Sequence, residues 1–114
     1  MVTVRLHYQD KTLTGIESRG HACFSYRGND VVCAAVSVLM QALILGLEEV
    51  AEVQGLSVES DRRVPVIRVM WPVSEQEKIS LLTETTALSL KQIAQENPKY
   101  VKISTEEISN DQKV

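Results

Sequence analysis

A histidine, an aspartate, a cysteine and a serine fall within one stretch, GHACFSYRGNDVVCAAVS from Gly20 to Ser37, where a polar loop gives way to an apolar run. A thiol and an imidazole within reach of each other can share nucleophilic work. The imidazole takes the proton from the sulfur and later returns it to a leaving group. If Asp30 caps the helix that the apolar run predicts, Cys33 is its third residue, where unpaired N–H groups and the helix dipole stabilise negative charge on the sulfur. Ala34 and Ala35 would leave room for another chain to approach. Position alone favours a different outcome, a small packed thiol with no reactivity. His21 follows Gly20, which has no side chain to obstruct a neighbouring backbone, and a flexible connection could return it to the helix start; an exposed loop histidine fits the same residues equally well. Asp30 can cap the helix or orient His21, and capping demands less. Ser37 lies one turn beyond Cys33 on the same face, placed to hydrogen-bond the sulfur or its own backbone.

Other chemistries fit less well. His7, His21, Cys23 and Cys33 add up to four zinc-type ligands, but no C-x-x-C or H-x-x-x-H spacing joins them, so no metal site is expected. The same missing spacing counts against a Cys23–Cys33 redox pair. The 114-residue chain has a formal charge of −3, and Arg62–Arg63 is its only adjacent basic pair, which argues against nucleic-acid binding. Two cysteines make no disulfide framework. The N-terminus MVTVRLHYQD lacks signal-peptide organisation, so a cytoplasmic location with reduced thiols is expected. The run Val31–Leu47 is too short and too interrupted by Ser37 and Gln41 for a membrane span and reads as a buried helix.

These residues need a frame to position them. Val2, Val4, Leu6 and Tyr8 alternate with polar neighbours as a strand, with His7 on the polar, solvent side, and TLTGIES pairs with it as a hairpin. A helix is predicted from Val31 to about Val53, stopped by Gly55. A second hairpin follows, from Leu56 through the turn Asp61–Arg63 to VPVIRVMW. Ser74 and Glu77 have the form of a capping box for a second helix that carries Ile79, Leu82, Thr86, Leu90 and Ile93 on one face and ends at Asn97–Pro98. YVKIS is a last strand, and the polar end, 105–114, is expected to fray. The prediction is one α+β domain over 1–114, two-layered, in ββαββαβ order, with a mostly antiparallel sheet covered by two helices.

The G-H-A of Gly20–Ala22 followed by G-x-D-x-V-C-A-A-V-S from Gly28 to Ser37 resembles the bacterial ribosomal-processing cysteine proteases, the Prp family, and the element order agrees across nearly the whole chain. The resemblance implies a cytosolic endopeptidase that removes the N-terminal extension of the twenty-seventh protein of the large ribosomal subunit. It implies a dyad of His21 and Cys33, supporting roles for Asp30, Ser37 and Gly20, no cofactor, and a homodimer. Cys23 departs from the family pattern. Two other classes stay open: on the resemblance, a non-catalytic ribosome-associated binding or assembly protein on the same fold, and, from the count of histidines and cysteines, a small zinc module.

Overall fold

The computed structural model describes residues 1–20, 27–61 and 63–108, with the helical backbone alone at 27–30. The expected order is found: β1 (Val2–Gln9), β2 (Thr12–Arg19), α1 (Arg27–Leu45), β3 (Ser57–Asp61), β4 (Val66–Met70), α2 (Gln76–Glu96) and β5 (Val101–Ile108). The five strands form one sheet in the order β3-β4-β2-β1-β5. Every pair is antiparallel except β1 with β5. The fold is therefore α+β with a mixed sheet and two helices.

The β1–β2 hairpin turns on Asp10 and Lys11, both at positive φ (49° and 69°), the backbone of a two-residue turn whose twist matches that of paired strands. β5 grips this turn from the side. The Asp10 amide donates to the Ile108 carbonyl at 3.0 Å and the Lys11 amide to Glu107 Oε1 at 2.7 Å. The strand consequently continues through Thr105–Ile108, residues the sequence placed in the polar tail; 109–114 lie outside the described residues.

Val2, Val4 and Leu6 point to the helix side of the sheet and join Ile16, Val69, Val36, Met40, Leu43, Leu47 and Leu90 in one core. Burying side chains of this size, at about 1.5–3 kcal/mol each, is the main term holding helices to sheet. Two helix expectations need correction. α1 begins at Arg27, before Asp30, and ends through a π-helical turn, Gly46–Val50. It is not enclosed on all sides: Val32, Val36, Met40, Leu43 and Leu47 are buried, whereas Val31, Val38 and Leu45 are 69%, 63% and 59% exposed. The segment Val31–Val50 has the length and mean hydropathy (2.1) of a membrane span. Inserting it in lipid would pull that buried row off the sheet.

The capping box does not form. Val73–Glu75 is a 3₁₀ turn, and α2 starts at Gln76 with no side-chain cap. Gln76 turns inward instead. Trp71 Nε1 donates to its Oε1 at 2.8 Å and to the Leu13 carbonyl at 3.0 Å, and Gln76 Nε2 donates to Thr83 Oγ1 at 3.0 Å. The buried stripe of α2 thus contains Gln76 and Thr83 as partners of the indole N–H, and Thr86, whose hydroxyl donates to the Leu82 carbonyl of its own helix at 2.8 Å, beside Ile79, Ala87 and Leu90.

Candidate functional site

Three polar residues on one face of α1, Cys33, Ser37 and Gln41, look into a cleft of about 350 Å³ between that helix and the β3–β4–β2 end of the sheet. Their spacing of four residues puts them in a row along the helix. The facing wall is a second row, across three strands. Ser18 pairs in register with Ile67, and Ile67 with Ser60, all on the helix side of the sheet. Gly20, Asp61, Pro65 and Val66 complete the lining. The row reaches the edge strand β3, all of whose residues are exposed, so the cleft opens at the sheet edge.

Gly20 closes the β2 end. Its φ of +84° suits glycine, its amide donates to the Pro65 carbonyl at 2.7 Å, and an added Cβ would stand 2.7 Å from the Met1 carbonyl oxygen. His21 is the next residue in the chain, so the backbone that carries it leaves from the cleft wall. His21 itself and Cys23 lie outside the described residues, as does the side chain of Asp30.

The setting of Cys33 differs from the sequence expectation. Because α1 starts at Arg27, Asp30 is within the first turn of the helix and is not its cap. Cys33 lies six residues after Arg27, about 9 Å along the axis, and its amide falls beyond the first four unpaired N–H groups. The dipole effect is confined to the first turn, so it does not supply the charge stabilisation that a third-residue cysteine would receive. The Cys33 amide likewise lies within the helical hydrogen-bond ladder and is not free to bind an oxyanion. What the structure provides is a half-buried thiol at a cleft wall, with Ser37 half-buried one turn on. Such a cleft has room for an extended chain beside the sulfur.

Sequence reasoning missed Gln41, Ser18, Ser60 and Asp61. Gln41 left a signal, as the third polar residue at four-residue spacing in an otherwise apolar run. The other three depend on strand register.

His7 was expected at the surface and is 6% exposed. It lies on the sheet face opposite the cleft, with Nε2 3.6 Å from Glu17 Oε1 and Nδ1 4.0 Å from Glu106. Glu17 is 2% exposed and also meets Arg19 Nε at 3.2 Å and Arg68 Nε at 3.8 Å. The sheet therefore separates His7 from Cys33, which dissolves the four-ligand zinc count. Among the described residues no group of three histidines, cysteines or carboxylates could hold a metal ion.

Residues 1–102 match the sequence model of the family described as Cysteine protease Prp. A curated relative, the ribosomal processing cysteine protease Prp of Mycoplasma pneumoniae, is 29% identical over 86 residues, covering 75% of this chain and 81% of that protein. A crystal structure from Streptococcus mutans superposes with a TM-score of 0.84 at 27% identity, over 95% of this chain and 96% of that one. The essential ribosomal processing protease Prp of S. aureus, in complex with a substrate peptide, shares the fold with a TM-score of 0.80 at 18% identity, over 93% of this chain and all of that one.

Proposed function

The chain belongs to the Prp family of cysteine proteases, and we propose that it is a cytoplasmic endopeptidase that removes the N-terminal extension of a large-subunit ribosomal protein, the twenty-seventh, with Cys33 as nucleophile and His21 as its base. The observation that carries this reading is the cleft, in which the one thiol of α1 shares a wall with Ser37 and faces a polar floor open at the sheet edge. The curated relative's name, a ribosomal processing protease, supports the substrate class.

The steps follow from the residue types. His21 takes the Cys33 proton, and the sulfur attacks the scissile carbonyl carbon to give a tetrahedral intermediate. As that collapses, the C–N bond breaks, the imidazolium protonates the departing amine, and the acyl group stays on sulfur as a thioester. His21 then removes a proton from water, the hydroxide attacks the thioester, and Cys33 leaves with the proton restored. Because the helix N-terminus is too far from Cys33 to activate it, activation rests on the imidazole. Ser37 and Asp30 hold supporting places, Ser37 beside the sulfur and Asp30 one turn before it, and Gly20 keeps the wall clear.

The mass of the cognate ribosomal protein, read before and after incubation, tests the whole reading. Loss of the N-terminal extension is expected with the native chain and not with Cys33→Ala or His21→Ala. Turnover that persists in Cys33→Ala removes the dyad, and binding of the substrate by the native chain with no cleavage leaves the non-catalytic binding reading. Metal analysis of protein purified without chelator tests the zinc module in the same preparation. Homodimerisation belongs to this proposal through Val31, Val38 and Leu45, an exposed apolar row along α1 at close to coiled-coil spacing. Sedimentation is expected to give a dimer that Val38→Glu converts to monomer.

A further inference from the structure

Four residues with side-chain hydroxyls are buried among the described residues: Thr14, Ser18, Thr83 and Thr86. Three of them are bonded inside the protein. Thr14 donates to the His7 carbonyl, Thr83 to the Ile79 carbonyl and Thr86 to the Leu82 carbonyl. Ser18 is 7% exposed and has no hydrogen-bond partner among the described residues. Strand alternation puts its side chain on the helix side of the sheet, as for Ile16, and there it lines the Cys33 cleft. The fold makes no use of this hydroxyl. Water can meet it while the cleft is open, and whatever displaces that water must supply a partner or leave the group orphaned.

We infer that Ser18 is a specificity-determining residue that hydrogen-bonds a hydroxyl or carboxamide side chain of the substrate close to the scissile bond. This rests on the reading of the cleft as the peptide site. Depth favours a side chain over the main chain as the partner. Ser60, at the sheet edge of the same row, is exposed, whereas Ser18 lies two strands further in and is enclosed, so a chain entering at β3 reaches it with a side chain turned down. Ser18 also faces Cys33 across the cleft and precedes His21 by three residues, which puts the selected side chain beside the cut. A neutral polar group gives up less hydration on entering such a recess than a charged one does. An apolar side chain of the same shape would seal the hydroxyl without a partner, and the discrimination against it is about tenfold, within the range for an orphaned buried hydroxyl.

The test uses the full chain carrying Cys33→Ala, which removes the nucleophile, and fluorescein-labelled peptides spanning the end of the cognate ribosomal protein's extension. Each position on either side of that end is offered as Thr or Val and as Asn or Leu, pairs of similar shape, and anisotropy gives Kd. At one position the polar member of a pair is expected to bind about tenfold tighter. Adding Ser18→Ala is expected to erase that ratio without weakening the apolar peptide, a change of preference that altered packing of β2 would not produce. Equal affinity within each pair at every position overturns the inference, as does a ratio that survives Ser18→Ala or the absence of any binding. An equal loss for both members of the pair in Ser18→Ala overturns it too, because the hydroxyl would then serve the substrate main chain. Cleavage of the same peptides by the unmodified chain is read in parallel as kcat/KM. Preference in binding without cleavage sinks the dyad and spares Ser18, and cleavage indifferent to the pairs does the reverse.

Discussion

The two faces of the sheet use polar side chains in opposite ways. On the helix side, the cleft is lined, among the described residues, mainly by neutral hydroxyls, an amide and apolar side chains, with a half-buried thiol on its wall. On the other side, Glu17 is enclosed and its charge is met by Arg19 and Arg68, with His7 packed close by. A polar group left available can bind something; one saturated by neighbours holds the fold. On this argument Glu17, bonded by Arg19, holds the fold, His7 Nε2 is buried without a hydrogen-bond partner among the described residues, and the weakly charged cleft is the region open to a further chain.

Removing the thiol is the largest break. Cys33→Ala is expected to reduce kcat/KM to the uncatalysed background while shifting stability by less than about 1 kcal/mol, since the residue is only half buried. A peptide mass assay and a thermal melt on the same sample check both halves.

Glu17→Gln is expected to do the reverse, and it sharpens the contrast. The carboxylate is buried, but the Arg19 and Arg68 side chains are 49% and 42% exposed and can turn to water. The expected loss is therefore roughly 2 kcal/mol, below the about 3–5 of a fully enclosed pair. Denaturant unfolding gives that loss, and kcat/KM per folded molecule is expected to stay within twofold of the native value, about 0.4 kcal/mol. A collapse of activity in a stable Glu17→Gln protein would move the opposite face into the catalytic machinery.

Gly20→Ala tests the cleft wall where it meets the fold. A side chain at φ +84° costs about 1–2 kcal/mol, and the added Cβ meets a backbone oxygen that cannot rotate away. Stability and kcat/KM are both expected to fall, because the strained residue carries His21 next in the chain. A variant as stable as the native chain, by melting temperature, would mean that the wall yields.

The element order was legible because β1, β4 and the two helices have clear periods, and the residues Gly20, Cys33 and Ser37 do meet at one cleft. Three features were hidden for definite reasons. The run from Thr105 to Ile108 alternates too weakly to announce a strand, and its pairing with β1 is fixed by contacts to the Asp10–Lys11 turn. Gln76 and Thr83 inside α2 are explained by the Trp71 N–H that Gln76 serves, and Thr86 by a bond back to its own helix. The capping preference of Asp30 predicts a helix from Val31, yet α1 begins at Arg27, and that shift of four residues moves Cys33 out of the first turn.

Glu75 gives the smallest effect and a control that belongs to neither face. The Gln54 amide donates to its carboxylate at 3.1 Å and Lys78 Nζ lies at 3.3 Å, so the backbone hydrogen bond first and the lysine second hold its pKa below the usual carboxylate value. A depressed carboxylate contributes stability that is fully present above its unfolded pKa and is lost as pH falls through the folded value. The melting temperature of the native chain is therefore expected to exceed that of Glu75→Gln near neutrality and to converge on it in acid. An offset that stays constant down to about pH 3, below the ordinary glutamate range, would assign the effect to packing of the side chain and not to its charge. The pH profile of kcat/KM should be the same in both proteins, because Glu75 fastens the Gln54 loop to the start of α2 and lies outside the cleft. A profile that moved with Glu75 would show that the cleft responds to charges beyond its own walls, and the division between a binding face and a structural face would need redrawing.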